Sequence, residues 1–175
     1  MRIDPTLYRG RPAEKRSEVE EACYDLLDGL CVAYERADHE HGDTIEALRE
    51  VEKLLGCGIC KNLLLMPGDK PFKTRILSKE IGTARLSFAA PGQMLASLGV
   101  TPGSVSPLGL MNDREKKVHL LIDRELLSQS CVGVHPCMNT STLKIKWDDL
   151  LHTVFPALGF TPRFVELPWD PDSET

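Results

Sequence analysis

Three short segments of the chain carry polar side chains that could take part in chemistry. They are 60–65 (CKNLLL), 103–113 (GSVSPLGLMND) and 135–142 (HPCMNTST). Each is predicted to lie at a turn or strand end, where a rigid sheet can present a side chain to a ligand. A lysine at a strand end is usually solvated, but the ammonium group of Lys61 could also bind a phosphate or stabilise developing negative charge. The amide of Asn62 could donate and accept hydrogen bonds to the same groups.

Segment 103–109 (GSVSPLG) admits two interpretations. In isolation it is typical of a turn that leads into a strand. In the functional interpretation it forms a backbone wall, because glycine lets a ligand approach the main chain closely and backbone N–H groups can hold a carbonyl or carboxyl oxygen. The residues expected in this wall are Gly103, Ser104, Ser106, Pro107, Leu108 and Gly109.

His135 is the third candidate for a chemical role. It precedes Pro136, which favours an extended backbone at the histidine. Its imidazole could act as a general base, bind a ribose, or be a capped surface group. Asn139 and Thr140 follow a few residues later and could contribute hydrogen bonds to the same pocket.

Other chemistries find little support. Cys57 and Cys60 form a CxxC pair, but the pair follows a predicted helix and precedes a strand, which is the wrong context for a redox motif. No second cysteine pair stands at zinc spacing, and His39 and His41 have no acidic or cysteine partner at ligand spacing. Cys137 would share a strand face with the histidine two residues before it, without a third orienting group. The sequence has no GxSxG, Walker A or GxGxxG motif, so we expect no nucleotide cofactor. From the cysteine and histidine spacings we expect reduced thiols and no metal.

Length, composition and charge bound the class of protein. A chain of 175 residues has the size of one domain. No apolar run approaches the length that spans a bilayer, and the N-terminus has no secretory apolar region, so we expect a cytoplasmic protein without a membrane partner. The net charge of −5 argues against a broad phosphate-binding surface, although a few local cations could still recognise the end of an RNA.

Strand-like and helix-like segments interleave along the chain. The pattern predicts one α/β domain at 17–168, with a mixed sheet of about six or seven strands and packed helices. An irregular arm is expected at 1–16 and an acidic tail at 169–175. Helices are predicted from the Ser17–Glu20 capping box to Gly29, from Asp43 or Thr44 to Leu55, at 93–98 ended by Gly99, and from Asp148 with a kink at Pro156. Strands are predicted at 30–37, 61–66, 72–77, 106–111, 118–122, 131–135, 140–145 and 163–167, with a turn at 67–70 and helical turns at 78–82 and 124–127.

In their order along the chain, the three segments resemble those of the free-standing aminoacyl-tRNA deacylases of the YbaK/ProX family, which are related to the editing domain of bacterial prolyl-tRNA synthetases. The resemblance covers roughly residues 35–167. It implies the editing-domain fold and a metal-independent site with Lys61, Asn62 and His135 as catalytic residues. It also implies that Asn139 and Thr140 bind substrate beside His135.

The resemblance also implies a substrate. The expected reaction is hydrolysis of the ester of a mischarged tRNA(Pro), held by its acceptor end, and the resemblance admits prolyl-tRNA synthetase as a second partner. The family usually has Pro-Phe-Gly or Pro-Ile-Gly where this chain has Pro107-Leu108-Gly109. The segment is more similar to the alanine-clearing branch, so Ala-tRNA(Pro) is expected first and Cys-tRNA(Pro) second. The non-enzymatic alternative is a module that senses aminoacyl-tRNA or a synthetase.

Overall fold

The computed structural model describes residues 1–42, 45–62, 65–67 and 73–167, and the side chains of 45–47, 61, 62 and 65–67 lie outside that description. The strands in this part of the chain are β1 (Ile3–Arg9), β2 (Tyr34–His39), β3 (Cys60–Asn62), β4 (Leu65–Pro67), β5 (Leu121–Asp123), β6 (Cys131–Val134), β7 (Ser141–Lys146) and β8 (Arg163–Val165). The first four helices are α1 (Glu18–Gly29), α2 (Ile45–Leu55), α3 (Thr74–Ile81) and α4 (Pro91–Leu98). Two 3₁₀-helices follow at Pro107–Asn112 and Arg124–Ser128, and the last helical stretch comprises α5 (Trp147–Asp149), a π-helical turn (Leu150–Val154) and α6 (Phe155–Ala157).

The first sheet has the strand order β1-β2-β7-β6, and all its neighbours are antiparallel. Side chains alternate between its two faces. One face packs against Tyr24 and Leu27 of α1 in the main hydrophobic cluster. The other face, at Ala37, packs against Val51 and Leu55 of α2. The sheet is therefore a central layer covered on both sides.

The second sheet has the order β3-β4-β5-β8, with an antiparallel β3–β4 pair and parallel β4–β5 and β5–β8 pairs. It is joined to the first sheet by a single parallel bridge between Ile59 and Gly133, in which the Gly133 N–H donates to the Gly58 carbonyl at 2.9 Å. An added Cβ at Gly133 would lie 2.8 Å from Cγ1 of Ile59, so the close approach at this joint requires glycine. The mixed α/β class is confirmed, but the predicted single sheet is two sheets of four strands in the described part of the chain.

Local signals predicted several elements correctly. Helix α1 begins with the expected capping box, in which Ser17 Oγ accepts from the Glu20 N–H and Glu20 accepts from the Ser17 N–H. Helix α4 ends at Gly99, whose left-handed backbone (φ +67°) closes the helix. Strands β6, β7 and β8, the helical turn after β5 and the last helical stretch also lie where the sequence predicted them.

Five predictions are corrected by the structure. The single strand predicted at 61–66 is replaced by the two strands β3 and β4, which pair antiparallel. The arm expected to be irregular contains the edge strand β1, whose register shifts between Ile3 and Leu7, around Pro5, as an edge strand allows. The strand predicted at 72–77 is wrong, since Thr74–Ile81 is helix α3. The strand predicted at 106–111 is the 3₁₀-helix Pro107–Asn112, and the one predicted at 118–122 is limited to β5.

Three further expectations lie outside the described residues: the helix caps at 43–44, the turn at 68–70 and the tail at 169–175. None of the described helices is long and apolar enough to span a membrane.

Candidate functional site

Polar residues from three strands meet at one end of the first sheet. Strand β2 ends at His39, β6 ends just before His135, and β7 begins at Ser141. Because β7 is antiparallel to both neighbours, these ends lie side by side. His39, His135 and Thr142 are all buried there, and the two imidazole rings lie 6.1 Å apart in an edge-to-face arrangement.

A chain of hydrogen bonds fixes the tautomer of both histidines. Nδ1 of His39 lies 2.8 Å from the Glu40 carbonyl, which can only accept, so Nδ1 donates and Nε2 is left as an acceptor. The Thr142 hydroxyl donates to this Nε2 at 2.9 Å. Nδ1 of His135 donates to the Ser141 carbonyl at 2.9 Å and approaches Thr142 Oγ1 at 3.3 Å. Nε2 of His135 is therefore an acceptor.

Burial keeps this pair of histidines neutral. The pKa of His135 is lowered to about 4, chiefly by desolvation and also by the neighbouring His39 and His41, against the hydrogen bond to the Ser141 carbonyl, which acts to raise it. Burial likewise lowers the pKa of His39, against the effect of its bond to the Glu40 carbonyl. At neutral pH the site holds a buried, uncharged imidazole with a defined acceptor atom.

Asn139 links this cluster to the glycine-rich segment. Its Nδ2 donates to the Gly42 carbonyl at 2.7 Å, and its Oδ1 is buried with no hydrogen-bond partner among the described residues. Gly103 has a left-handed backbone (φ +84°), and a Cβ there would lie 3.8 Å from Asn139 Nδ2 and 3.9 Å from the His41 ring. The start of the segment and the end of the histidine loop therefore lie close together. Thr140 contributes its carbonyl, which accepts from the His39 N–H at 2.9 Å.

Lys61 and Asn62 lie in β3, where their backbones pair with Met66 and Leu65. Their side chains are outside the described part of the structure. Lys61 follows the bridging residue Ile59 by two positions, and His135 follows Gly133 by two. The bridge therefore places the backbones of two of the three predicted catalytic residues, Lys61 and His135, at the same end of the joint between the sheets.

The 103–109 segment divides into a wall and its support. Ser106 caps the following 3₁₀-helix by accepting from the Leu108 N–H at 3.2 Å. Val105, Ser106 and Pro107 line a cavity of about 430 Å³. Ser104 is buried and is not among the residues that line this cavity. The expectation that Leu108 adds bulk to the pocket wall is corrected, because Leu108 is fully buried in the main hydrophobic cluster.

Gly109 is also a packing residue. A Cβ at this position would lie 3.0 Å from the Leu98 carbonyl oxygen at the end of α4. Glycine is required there by close helix packing rather than by contact with a ligand. Of this segment's side chains, that of Val105 is the one left half-exposed.

The cysteines take other positions. Cys137 does not share a strand face with His135, because β6 ends at Val134 and Cys137 adopts a left-handed backbone (φ 59°) in the main core. Burial raises the pKa of Cys57 and of Cys60 to about 12, so both thiols are protonated at neutral pH. Among the described residues no group of three or more His, Cys, Asp or Glu side chains could hold a metal ion.

Sequence reasoning missed two members of the site. His39 was considered only as half of a weak metal pair, and Thr142 was not singled out. Their hydrogen bond joins residues 103 positions apart, and no local pattern reveals such a contact. The available signal was the placement of both residues at strand ends.

Comparison with known proteins identifies the family of the chain. The family model of the aminoacyl-tRNA editing domain matches residues 39–153, a range that contains His39, β3, the 103–109 segment and Thr142. The chain belongs to this family.

Individual relatives cover most of the chain. The prolyl-tRNA editing protein ProX of Acetoanaerobium sticklandii is 30% identical over 162 residues, which are 86% of this chain and 98% of ProX. The prolyl-tRNA synthetase associated domain-containing protein 1 of Danio rerio is 29% identical over 154 residues, covering 80% of this chain and 81% of the relative. A crystal structure of a candidate trans-editing enzyme for prolyl-tRNA synthetase has a TM-score of 0.64 at 16% identity and covers 88% of this chain and 100% of its own, which is a likeness of fold.

Proposed function

We propose that the chain is a trans-editing deacylase that hydrolyses the ester between a mischarged amino acid and the 3′-terminal ribose of tRNA(Pro). The single observation that carries the proposal is the buried, neutral His135, whose Nε2 is oriented as an acceptor by Ser141 and Thr142. Membership of the aminoacyl-tRNA editing family and the names of the prolyl-tRNA editing relatives support this substrate class.

Hydrolysis of the ester requires only a few groups from the site. Water adds to the ester carbonyl carbon and the bond to the ribose oxygen breaks. One proton of the water passes to the ribose oxygen, the other is released to solvent, and the amino acid leaves as a carboxylate. With a pKa near 4, His135 is a weak base, so its role is to accept a hydrogen bond from the attacking water or a ribose hydroxyl and hold it in line. Lys61 is the proposed source of positive charge for the developing oxyanion, with Asn62 beside it.

Asn139 is the proposed contact for the amino acid. Its buried Oδ1 lacks a partner in the described part of the protein, and an unpaired buried acceptor is unfavourable. The α-ammonium group of an aminoacyl ester would supply that missing donor. Gly103, which lies close to Asn139, is the proposed backbone wall beside this contact.

Alanine is the proposed amino acid and cysteine the second candidate, following the resemblance of segment 103–113. A small pocket rejects the larger proline sterically, so cognate Pro-tRNA(Pro) should be spared. Prolyl-tRNA synthetase is a proposed partner on the same grounds.

A deacylation assay on Ala-, Cys- and Pro-tRNA(Pro) tests the proposal, with wild type and Lys61→Ala. We expect wild type to release alanine fastest and proline slowest, and Lys61→Ala to lose most activity at an unchanged melting temperature. His152→Ala is the control, since His152 is exposed and pairs with Asp148 away from the site. Equal rates of alanine and proline release would refute the proposed editing role. Faster release of cysteine would make cysteine, and not alanine, the amino acid that is cleared. No hydrolysis of any ester would favour a binding module.

A further inference from the structure

The protein has a second recess beyond the histidine cluster. The cavity of about 430 Å³ beside Val105 adjoins another of about 520 Å³, and the two have six lining residues in common. These shared residues are Ile81, Thr83, Val118, His119, Leu120 and Leu121. Together the two cavities form one recess, which we call the β5 cleft. It begins at the 103–107 wall of the candidate site and ends at β8.

The two halves of the β5 cleft differ in chemistry. The half next to the candidate site is apolar, and its rim carries the Phe88 ring, which is 62% exposed. The far half is lined by Lys116 and Arg163. The exposed imidazole of His119 lies on the wall that both halves share.

Each of the two cations contacts a backbone carbonyl, and neither is within ion-pair distance of an acidic side chain in the described part of the protein. Lys116 Nζ donates to the Leu158 carbonyl at 2.6 Å and lies 4.3 Å from the centre of the Phe160 ring. Arg163 makes one long contact of 3.4 Å with the Ile81 carbonyl and keeps further N–H donors for a ligand. Among the described lining residues of the cleft none is acidic, although the chain has 26 acidic residues against 21 basic ones.

We propose that the β5 cleft binds the single-stranded 3′ end of the tRNA upstream of the terminal ribose, with bases on the apolar half and phosphate on the cationic half. Single-stranded RNA alternates flat apolar bases with negative phosphates, and proteins hold it by aromatic stacking beside cations. The inference rests on the proposed function for its direction, because the terminal ribose must reach His135 while the preceding nucleotides leave past Val105.

The test is the affinity of the full chain for a fluorescent RNA tetranucleotide, ACCA, measured by anisotropy over a range of salt concentrations. We expect Phe88→Ala and Arg163→Gln each to weaken binding by about 5-fold or more, from lost stacking and a lost phosphate contact. Arg163→Gln should also reduce, by about 0.7, the magnitude of the slope of the logarithm of the association constant against the logarithm of salt concentration, whereas Phe88→Ala should leave this slope unchanged. Phe88→Trp should restore affinity, since it keeps a stacking ring.

Arg124→Gln is the matched control. Arg124 is exposed, pairs with Glu166 at 3.2 Å and lines neither cavity, so removing its charge should leave the affinity unchanged. Phe88 and Arg163 are also exposed, so melting temperatures should stay at the wild-type value. Lys116 is left unchanged because its bond to Leu158 has a structural role.

Deacylation kinetics separate the two proposals. In the cleft variants we expect a raised KM for aminoacyl-tRNA with kcat preserved. If esters are hydrolysed but Phe88→Ala and Arg163→Gln change neither Kd nor KM, or if Arg124→Gln weakens binding equally, the cleft proposal fails and the function stands. Absence of measurable binding by wild type overturns it as well. If no ester is hydrolysed while the RNA affinities show the expected pattern, the proposed function fails and the cleft stands.

Discussion

At the scale of residues, the account depends on an imidazole that burial keeps uncharged. His135 is 2% exposed, and desolvation lowers its pKa to about 4, against an ordinary value of 6.5. A histidine in water gains its proton as the pH falls through 6.5, but this one remains neutral down to about 4. The acceptor at Nε2 therefore persists across the mildly acidic range.

The first prediction follows for the pH dependence of activity. Between pH 7.5 and 5, kcat/KM for enzymatic ester hydrolysis should show no inflection near 6.5, because His135 and His39 both have lowered pKa values. Spontaneous hydrolysis is subtracted at each pH with a protein-free sample. A fall in kcat/KM centred on pH 6.5 would show that an ordinary, solvated histidine controls the reaction.

The second prediction concerns the residue that orients both histidines. Thr142→Val removes the hydroxyl that donates to His39 Nε2 at 2.9 Å and accepts from His135. We expect stability to fall by about 1–3 kcal/mol from the unpaired buried nitrogen, and kcat to fall about 10- to 100-fold from a misplaced imidazole. Urea unfolding and single-turnover kinetics measure the two effects.

Thr142→Ser is the control for this change, because it keeps the hydroxyl and loses only the methyl group. It should retain most of the wild-type kcat. If Thr142→Val lowers stability while kcat is unchanged, Thr142 supports the fold without orienting the reaction.

The residues of the site were only partly predictable for a physical reason. His135, Asn139 and Gly103 stand in short segments with recognisable polar and turn composition. His39 and Thr142 acquire their importance through a hydrogen bond across β2 and β7, which exists only once the strands are paired. Leu108 looked like a pocket residue because of its neighbours, yet its side chain fills the core.

At the scale of elements, the candidate site depends on how closely the two sheets approach. The bridge between Ile59 and Gly133 sets where β3, which carries Lys61, meets β6, which leads to His135. Added bulk at Gly133 would meet Cγ1 of Ile59 at 2.8 Å and Cγ2 of Thr142 at 3.2 Å. Steric pressure at this point is transmitted directly to the site.

The third prediction is that Gly133→Ala destabilises the fold by about 1–3 kcal/mol through overpacking and lowers activity. Ile59→Ala removes the nearest clashing atom, so the double variant should be more stable than the sum of the two single changes predicts. The free energies of unfolding in urea of the wild type, the two single variants and the double variant form the double-mutant cycle that measures this. Gly92→Ala is the control, because a Cβ there meets nothing within 4 Å. Strict additivity of Gly133→Ala and Ile59→Ala would mean that the two residues do not press on each other.

Elements with strong local signals were predictable, and those decided by tertiary pairing were not. The Ser17 capping box and Gly99 are local signals from which the ends of these helices can be predicted. Strand β1 was missed because its pairing with β2 outweighs Pro5 and the charged residues around it. For 106–111, serine before proline is a helix-start signal that the apolar run obscured.

At the scale of the whole molecule, the proposed substrate is a large polyanion, whereas the chain itself has a net charge of −5. The lining of the β5 cleft, which has no acidic residue in the described part of the chain, offers two cations in the half far from the candidate site, Lys116 and Arg163. Affinity for tRNA should therefore come from a few local contacts near the acceptor end and not from a broad basic surface.

The fourth prediction gives the expected number of phosphate contacts between the protein and tRNA. The logarithm of the tRNA association constant should fall with the logarithm of salt concentration at a slope corresponding to about two or three phosphate contacts, each contributing roughly −0.7 on single-stranded RNA. A minihelix without the anticodon arm should be hydrolysed at a rate comparable to the full tRNA. A steep slope, or a strict requirement for the anticodon, would reveal a second contact surface.

The most direct test of the central claim is the single-turnover rate of alanine release from Ala-tRNA(Pro) by wild type and by His135→Ala, against the spontaneous rate at pH 6.5. The account predicts rapid release by wild type and a loss of about 100-fold or more in His135→Ala, while His152→Ala, at an exposed residue away from the histidine cluster, keeps its maximal rate. Release by His135→Ala at the wild-type rate, from a protein with a wild-type melting temperature, would contradict the claim that this buried imidazole positions the reaction.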